Sequence, residues 1–239
     1  MSNHISVIIL GGGKGTRIKS ILGETPKLLA PINNKTFLDY MLIWLKNSLR
    51  EISFDVTIAT GCGHLEIEKY CDIHSLDIRL SRERKPLGTL GAASKAASDS
   101  SSRDVLILNG DTIFSCSLID AYNQFLVEKS NPLCIIKSVT NNERYGGYLI
   151  DDGYLVPCNI DPDYISMGAV FTKRELLQVS YSECCMKTEL CMMDNDFLAL
   201  SKARPYILLQ STRFIDIGTI SSYKESQSVV PFLSQFASD

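Results

Sequence analysis

Short apolar runs alternate with amphipathic stretches along much of the chain. A short apolar run is typical of a buried strand, and apolar residues at three- and four-residue intervals are typical of a helix with one buried face. These patterns predict strands at 5–10, 54–59, 76–80, 104–108 and 132–139, and helices at 36–49, 63–70 and 117–128. The steady alternation predicts an α/β fold built on a doubly wound, mostly parallel, Rossmann-like sheet.

The pattern changes in the last third of the chain. From about residue 144 onward, strand-like pieces are separated by turn residues such as Gly153 and Pro157, which predicts a small β-rich subdomain. We expect residues 1–239 to form a single domain, with a first part at about 1–140 and a second at about 141–227. The tail at 228–239 has little periodicity and is expected to fold loosely over the surface.

The clearest chemical signal follows the first predicted strand and reads Leu10-Gly11-Gly12-Gly13-Lys14-Gly15-Thr16-Arg17. Four glycines in five positions leave backbone N–H groups uncovered by Cβ atoms, so that an anionic group can approach them closely. Gly15 stands where a Walker A loop needs Ser or Thr, and Thr16 where a dinucleotide-binding motif has its third glycine. The stretch therefore indicates a polyphosphate loop of another kind. The alternative interpretation is a tight strand-to-helix turn with surface charges.

Two later stretches also suit a ligand site. Lys85-Pro86-Leu87-Gly88-Thr89-Leu90-Gly91 combines a loop with small residues, and its alternative role is close packing of a helix on the sheet. Asn109-Gly110-Asp111-Thr112 follows the strand predicted at 104–108, and open α/β sheets bind ligands beyond the carboxyl ends of their strands. A carboxylate there beside a polyphosphate suits Mg²⁺, whereas the alternative is an Asx-type turn.

Composition narrows the range of partners. A net charge of −3 without any basic run argues against nucleic acid or a membrane surface as a partner. The sequence has no apolar stretch of transmembrane length and no signal-peptide pattern, so we expect a cytoplasmic protein. Eight cysteines without CxxC spacing and three scattered histidines argue against a zinc site. Reduced thiols that pack as small apolar side chains are the favoured interpretation.

The glycine stretch belongs to a larger pattern. Gly-Gly-x-Gly-Thr-Arg, followed ten residues later by Pro26-Lys27, resembles the signature of the sugar-1-phosphate nucleotidylyltransferases. The resemblance extends from Leu10 to Tyr223 and is closest to the bacterial D-glycero-D-manno-heptose 1-phosphate guanylyltransferases. The segments that carry it further are Lys27-Leu28-Leu29-Ala30-Pro31-Ile32, Arg144-Tyr145-Gly146-Gly147 and Phe214-Ile215-Asp216-Ile217-Gly218-Thr219.

The resemblance implies an enzyme and its substrates. It implies transfer of NMP from an NTP to a sugar 1-phosphate with release of pyrophosphate, which gives an NDP-sugar. GTP is favoured and CTP stays open, and the expected product is a GDP-heptose for a capsule or lipopolysaccharide. Mg²⁺ is the implied cofactor. The part at about 1–140 would bind the nucleotide and the part at about 141–227 the acceptor, and a homo-oligomer stays open.

The resemblance also implies roles for individual residues. The catalytic residues would be Arg17, Lys27, Asp111 and Asp216, of which Asp111 and Asp216 would hold the metal. The nucleotide would contact Leu10, Gly11, Gly12, Gly13, Gly15, Thr16, Pro86, Gly88, Thr89, Asn109 and Gly110. The acceptor would contact Arg144, Tyr145, Gly146, Gly168 and Asp194.

The chain departs from the family pattern on the acceptor side. Of an Asn-Gly-Gly motif only Gly168 carries over, Asp194 replaces a glutamate, and the segment 155–161 lacks a Glu-Lys pair whose lysine grips the acceptor phosphate. Two alternatives therefore stay open. One is a nucleotidylyltransferase, CTP-dependent in one variant, for another sugar phosphate or for a non-sugar phosphate. The other is a non-catalytic nucleotide-binding regulator, although the presence of all four predicted catalytic residues favours an enzyme.

Overall fold

A mixed β-sheet with helices on both faces forms the centre of the computed structural model, which describes residues 4–128, 131–139, 147–186, 190–198 and 201–235. The strands are β1 (His4–Leu10), β2 (Pro31–Ile32), β3 (Lys35–Thr36), β4 (Ser53–Thr60), β5 (Arg79–Arg82), β6 (Asp104–Asn109), β7 (Thr112–Phe114), β8 (Leu133–Ser138), β9 (Gly147–Asp151), β10 (Tyr154–Cys158), β11 (Tyr164–Lys173), β12 (Arg204–Leu208) and β13 (Phe214–Asp216). The α-helices are α1 (Lys19–Leu22), α2 (Phe37–Ser48), α3 (His64–Ile73), α4 (Gly88–Ala97), α5 (Leu118–Glu128), α6 (Arg174–Cys185) and α7 (Ile220–Leu233). Short 3₁₀ turns lie at Thr16–Ile18 and Lys27–Leu29, and a π-helical turn lies at Met193–Leu198.

The sheet confirms the predicted doubly wound, mostly parallel architecture. Strand β1 pairs in parallel with β4 and β6, and β4 pairs in parallel with β5. Strand β11 is antiparallel to both β6 and β8, and β12 pairs in parallel with β8. The order β5-β4-β1-β6 places the carboxyl ends of four strands at one edge, where ligands bind in sheets of this kind.

Two apolar cores lie on the two faces of the sheet. Because side chains alternate along a strand, Ile5, Val7 and Ile9 of β1 join one core and Ile8 joins the other, and all four are fully buried. Helix α2 covers the first face, and its capping box between Thr36 and Asp39 has the predicted form. Because β1 is buried on both faces, its carboxyl end, where the glycine loop begins, is held in a fixed position.

The β-rich part predicted after residue 144 is present and continues the central sheet. The hairpin of β9 and β10 joins β11 at the pair of Tyr148 and Tyr164. Pro157, predicted to lie in a turn, lies inside β10 instead. This prediction is wrong because β10 runs along the outer margin of the sheet, where a missing N–H is tolerated. A boundary between two parts near residue 140 stays a prediction.

The strand predicted at 76–80 is displaced to Arg79–Arg82. Ile78 N–H donates to Leu76 O in a turn, and the pairing with β4 begins only at Arg79, opposite Thr57. The predicted strand begins too early in the chain because apolar character was its only signal. Leu76 is apolar because it packs against the core, but it does so from the connection that precedes β5. None of the described helices is long and apolar enough to span a membrane.

The prediction of a loosely folded tail is wrong as far as residue 233. Helix α7 extends to Leu233, and both Val230 and Leu233 are fully buried. Pro231 lies inside this helix and lacks the N–H that would bond to Gln227 O, but Asn33 Nδ2 donates to that carbonyl at 2.7 Å. A contact almost two hundred residues away along the chain therefore compensates for the proline, and no local pattern reveals it.

Candidate active site

The glycine loop begins between two strands. Gly11 N–H donates to Ala59 O at 2.9 Å, and Gly110 N–H donates to Leu10 O at 3.1 Å, so the loop leaves the sheet between β4 and β6. A Cβ at Gly11 would lie 2.5 Å from Leu28 Cδ1, whereas a Cβ at Gly13 would meet nothing within 4 Å. Close packing therefore requires Gly11, but nothing within the described residues requires a glycine at position 13.

A cavity of about 380 Å³, the first cavity, opens at this edge of the sheet. Nine of the predicted nucleotide-binding residues line it, namely Leu10, Gly11, Gly12, Gly13, Pro86, Gly88, Thr89, Asn109 and Gly110. The other two, Gly15 and Thr16, line a smaller neighbouring cavity of about 150 Å³. Other residues that line the first cavity are Lys27, Asp111, Glu83, Ala59 and Ala92.

The segment 190–193 crosses the start of α4 and closes one side of the first cavity. Leu90 N–H donates to Cys191 O at 2.9 Å, Cys191 N–H donates to Leu87 O, and Met193 N–H donates to Thr89 Oγ1 at 2.8 Å. Gly88 has φ +77°, and a Cβ there would lie 2.2 Å from Cys191 O. This segment was not predicted, because two backbone hydrogen bonds to a distant loop leave no pattern in the sequence.

An ion pair joins two of the predicted catalytic residues. Lys27 Nζ lies 2.8 Å from Asp111 Oδ2, and the side chains are 18% and 28% exposed. Lys27 lies in a 3₁₀ turn after Pro26, and Asp111 follows β6. The sequence indicated both residues but not their contact, which brings the glycine-loop segment and the end of β6 together.

Asp216 lies on β13, which pairs with β7 directly after Asp111. In this register Asp216 is opposite Thr112, and Ile217 N–H donates to Asp111 O at 2.9 Å. Asp216 Oδ1 accepts a hydrogen bond from Gly218 N–H at 2.9 Å. The two predicted metal carboxylates thus belong to one two-stranded ribbon and line one cavity.

That second cavity has a volume of about 410 Å³ and shares Asn109 and Asp111 with the first. It brings together Arg17, Asp111, Asp216, Gly168 and Asp194 of the predicted residues. Arg17 therefore faces the second cavity and not the first. The predicted acceptor residues Arg144, Tyr145 and Gly146 lie outside the described residues.

Gly168 has a packing reason to be glycine. Its φ is +69°, it lies in the irregular step of β11 between Ser166 and Ala169, and a Cβ would lie 2.5 Å from Asn109 Nδ2. Ser166 Oγ accepts its N–H at 3.0 Å. The absence of a side chain lets Asn109 stand at the border of the two cavities.

A buried tyrosine orients the acidic side chain at position 194. Tyr148 is 3% exposed, and its hydroxyl donates to Asp194 Oδ1 at 2.6 Å. Burial, together with the nearby carboxylate, raises the pKa of Tyr148, so the phenol keeps its proton and acts as a donor. One oxygen of Asp194 is thereby fixed, and the other can accept a hydrogen bond from a ligand hydroxyl in the second cavity.

The donor set of Asp111 and Asp216 fits Mg²⁺. Magnesium prefers oxygen ligands and is commonly held by one or two carboxylates together with substrate phosphates and water. In the part of the chain that the structure describes, no three acidic, histidine or cysteine side chains form a cluster that could hold a metal ion. An ion at this site would therefore need ligands from bound phosphates, as that mode of binding requires.

Comparisons with known proteins cover most of the chain. The profile of the nucleotidyl transferase family matches residues 6–230. A D-glycero-alpha-D-manno-heptose 1-phosphate guanylyltransferase from Aneurinibacillus thermoaerophilus is 32% identical over 93% of this chain and 97% of its own. A protein of the same description from Campylobacter jejuni is 28% identical over 84% of this chain and 97% of its own. The crystal structure of HddC from Yersinia pseudotuberculosis, 23% identical, has the same fold with a TM-score of 0.73 and covers 94% of this chain and 98% of its own.

The contact between Gly88 and Cys191 can be tested with two alanine variants. Gly153 has the same φ as Gly88, +77°, but its closest neighbour is a movable guanidinium nitrogen of Arg204. Gly153→Ala should therefore lose only the cost of a left-handed alanine, about 1–2 kcal/mol of unfolding free energy. Gly88→Ala should lose about 1–3 kcal/mol more, because a backbone oxygen must move. Denaturant unfolding measures both, and equal losses would contradict the close contact.

Proposed function

The chain belongs to the nucleotidyl transferase family, and we propose that it transfers a guanylyl group from GTP to a heptose 1-phosphate. The products would be pyrophosphate and a GDP-heptose. The chain is accordingly a sugar-phosphate nucleotidyltransferase of the EC 2.7.7 class. The names of the two guanylyltransferase relatives support the choice of base and sugar, and the arrangement of the two cavities supports the transfer itself.

The observation that carries the proposal is the junction of the two cavities at Asn109 and Asp111. A nucleotide in the first cavity and a sugar phosphate in the second would bring their phosphates together at this border. Phosphoryl transfer of this kind depends mainly on the positioning of the two substrates and on charge neutralisation, and the protein contributes little covalent chemistry. The ion pair of Lys27 and Asp111 lies at this border, where positioning and charge neutralisation are both needed.

Each residue near the junction has a proposed task. The backbone N–H groups of the glycine loop bind the triphosphate, and Lys27 holds the α-phosphate and the acceptor phosphate in line. The acceptor phosphate is already anionic at neutral pH and attacks without a general base. Arg17 lines the second cavity together with Asp111 and neutralises charge on the phosphates that meet at the junction as pyrophosphate leaves.

Asp111 and Asp216 are the proposed holders of Mg²⁺. A bound magnesium ion would supply neutralisation of the phosphate charges. Lys27 pairs with Asp111, so the carboxylate is held in place. Asp216 is held through the N–H of Gly218 and through the ribbon that pairs it opposite Thr112.

There is a second candidate for the acceptor substrate. Segment 155–161 contributes Pro157 and Asn159 to the second cavity and no cation, and Arg17 is the cation among the described lining residues. Because this segment lacks the Glu-Lys pair of the family pattern, a transferase for another phosphorylated acceptor, CTP-dependent in one variant, is the second candidate. Asp194, fixed by Tyr148, favours an acceptor with hydroxyl groups and hence the sugar.

A matrix of substrates decides between the candidates. The four common NTPs are each combined with heptose, mannose and glucose 1-phosphates and with phosphocholine, and pyrophosphate release is measured with Mg²⁺. We expect the highest kcat/KM for GTP with heptose 1-phosphate. A preference for CTP with phosphocholine would overturn the proposed substrates and leave the reaction type intact.

The two carboxylates should act as one site. Asp111→Asn and Asp216→Asn should each lower kcat by more than about a hundredfold, roughly 2.7 kcal/mol of transition-state stabilisation, because each removes charge that holds the metal and the phosphates. Asp77→Asn, an exposed position outside both cavities, serves as the control and should keep full activity. Near wild-type turnover of either site variant with Mg²⁺ would remove that carboxylate from the proposed site.

A substitution at Gly13 can distinguish an effect on ligand binding from an effect on folding. A Cβ at this position meets nothing within 4 Å, and Gly13 is not among the glycines with positive φ. Gly13→Ala should therefore change the unfolding free energy by no more than about 0.5 kcal/mol. If the loop cradles phosphates, the new methyl group blocks their approach and raises KM for GTP more than about tenfold, with KM for the acceptor unchanged. Unaltered KM for GTP would remove this glycine from phosphate binding.

A further inference from the structure

Lys137 is a partly buried lysine beside the second cavity, and the proposed reaction gives it no task. It lies on β8 opposite Ile165 of β11, and the side chains of residues that are opposite each other in antiparallel strands lie on the same face of the sheet. Ile165 lines the second cavity, so the Lys137 side chain leaves the sheet on the side of that cavity. Lys137 itself is not among the described residues that line it.

Two contacts hold the ammonium group of Lys137 in place. Its Nζ donates to Thr212 O at 2.7 Å and lies over the ring of Phe214, 5.2 Å from the ring centroid. Burial lowers the pKa of Lys137, and no carboxylate of the described residues raises it. The ammonium group therefore depends on the carbonyl and on the ring, and a cation–π contact is strongest when the cation is desolvated.

Both partners of Lys137 belong to the segment that leads to the proposed metal site. Thr212 N–H donates to Leu209 O in a turn, and Phe214 is the first residue of β13. Because side chains alternate along a strand, Phe214 and Asp216 lie on the same side of β13, and both line the second cavity. Ile215 between them is buried in the core. The position of the Phe214 ring therefore sets one wall of this cavity, two residues from a proposed metal carboxylate.

We propose that Lys137 is a positioning residue for the acceptor and acts through the Phe214 ring and the Thr212 carbonyl. The inference rests on the proposed function, in which the acceptor binds in the second cavity. From outside the cavity the ammonium group holds the ring, and the acceptor packs against the wall that the ring forms. Neither Thr212 nor Phe214 lines the first cavity, so binding of the nucleotide should not depend on Lys137.

The replacement of Lys137 by methionine removes the charge and keeps an unbranched side chain. In Lys137→Met the carbonyl and the ring lose their common partner, so we expect KM for the acceptor to rise about tenfold and KM for GTP to stay within about twofold. Lys137→Arg should keep KM for the acceptor within about threefold of the wild-type value, because a guanidinium also donates to a carbonyl and lies over an aromatic ring. Initial rates of pyrophosphate release give both KM values, with the acceptor that has the highest kcat/KM in the substrate matrix, heptose 1-phosphate by expectation.

Lys173 offers a matched control. Its ammonium group lies over the ring of Phe125, 5.0 Å from the centroid, and pairs with Asp104, but neither Lys173 nor Phe125 lines the first or the second cavity. Lys173→Met should lower the free energy of unfolding at least as much as Lys137→Met, because it also leaves a carboxylate without its cation. KM for both substrates should nevertheless stay at the wild-type values. A raised acceptor KM in Lys137→Met alone is then not a consequence of lower stability.

Hydrogen exchange gives a second measurement that does not depend on activity. Without substrates, the amides of residues 209–216 should exchange faster in Lys137→Met than in the wild type, and at the wild-type rate in Lys173→Met. In an active enzyme, an unchanged acceptor KM in a folded Lys137→Met variant would overturn the role of Lys137 alone. If no pair of substrates releases pyrophosphate, the proposed function fails, and the exchange rates still decide whether Lys137 holds this wall of the second cavity.

Discussion

The ion pair between Lys27 and Asp111 connects the parts of this molecule on which the proposed chemistry depends. It joins the 3₁₀ turn after the glycine loop to the carboxyl end of β6, and Asp111 O in turn accepts the N–H of Ile217 beside Asp216. A half-buried charge that loses its partner is costly, so each of the three segments is held in place by the others. The pair also lies at the border of the two cavities, where charge neutralisation is needed most.

The sheet explains why these segments meet. Strand β1 is buried on both faces and delivers the glycine loop between β4 and β6, while β11 runs antiparallel beside β6 and brings Gly168 against Asn109. Three different connections thus end at one edge of one rigid sheet. The first cavity lies toward β4 and the second toward β11, so the strand order places side by side the two cavities proposed for the two substrates.

Local patterns in the sequence predicted the parts of the fold that depend on local physics. The apolar runs, the capping box of Thr36 and Asp39, and the glycine loop all depend on neighbours in the sequence, and the structure confirms these elements. The exact position of β5 and the ordered helix α7 were not predicted, because pairing with β4 in the first case and the bond from Asn33 to Gln227 O in the second fix them over long distances.

The candidate site likewise has features that the sequence predicted and features that it did not. Family resemblance indicated Asp111, Asp216 and Lys27, but neither the ion pair nor the shared ribbon can be read from residue types. The segment 190–193 was missed because it acts through backbone groups, which any sequence supplies.

The proposed transfer requires that the glycine loop and the first cavity bind a magnesium–nucleotide complex. Calorimetric titration of the unmodified protein with GTP, with Mg²⁺ and then with excess chelator, tests it most directly. We expect saturable binding of one nucleotide per chain that weakens when the metal is removed. Absence of binding for GTP and for the other three NTPs would contradict it, because the loop, the ion pair and the cavity would then have no ligand in common.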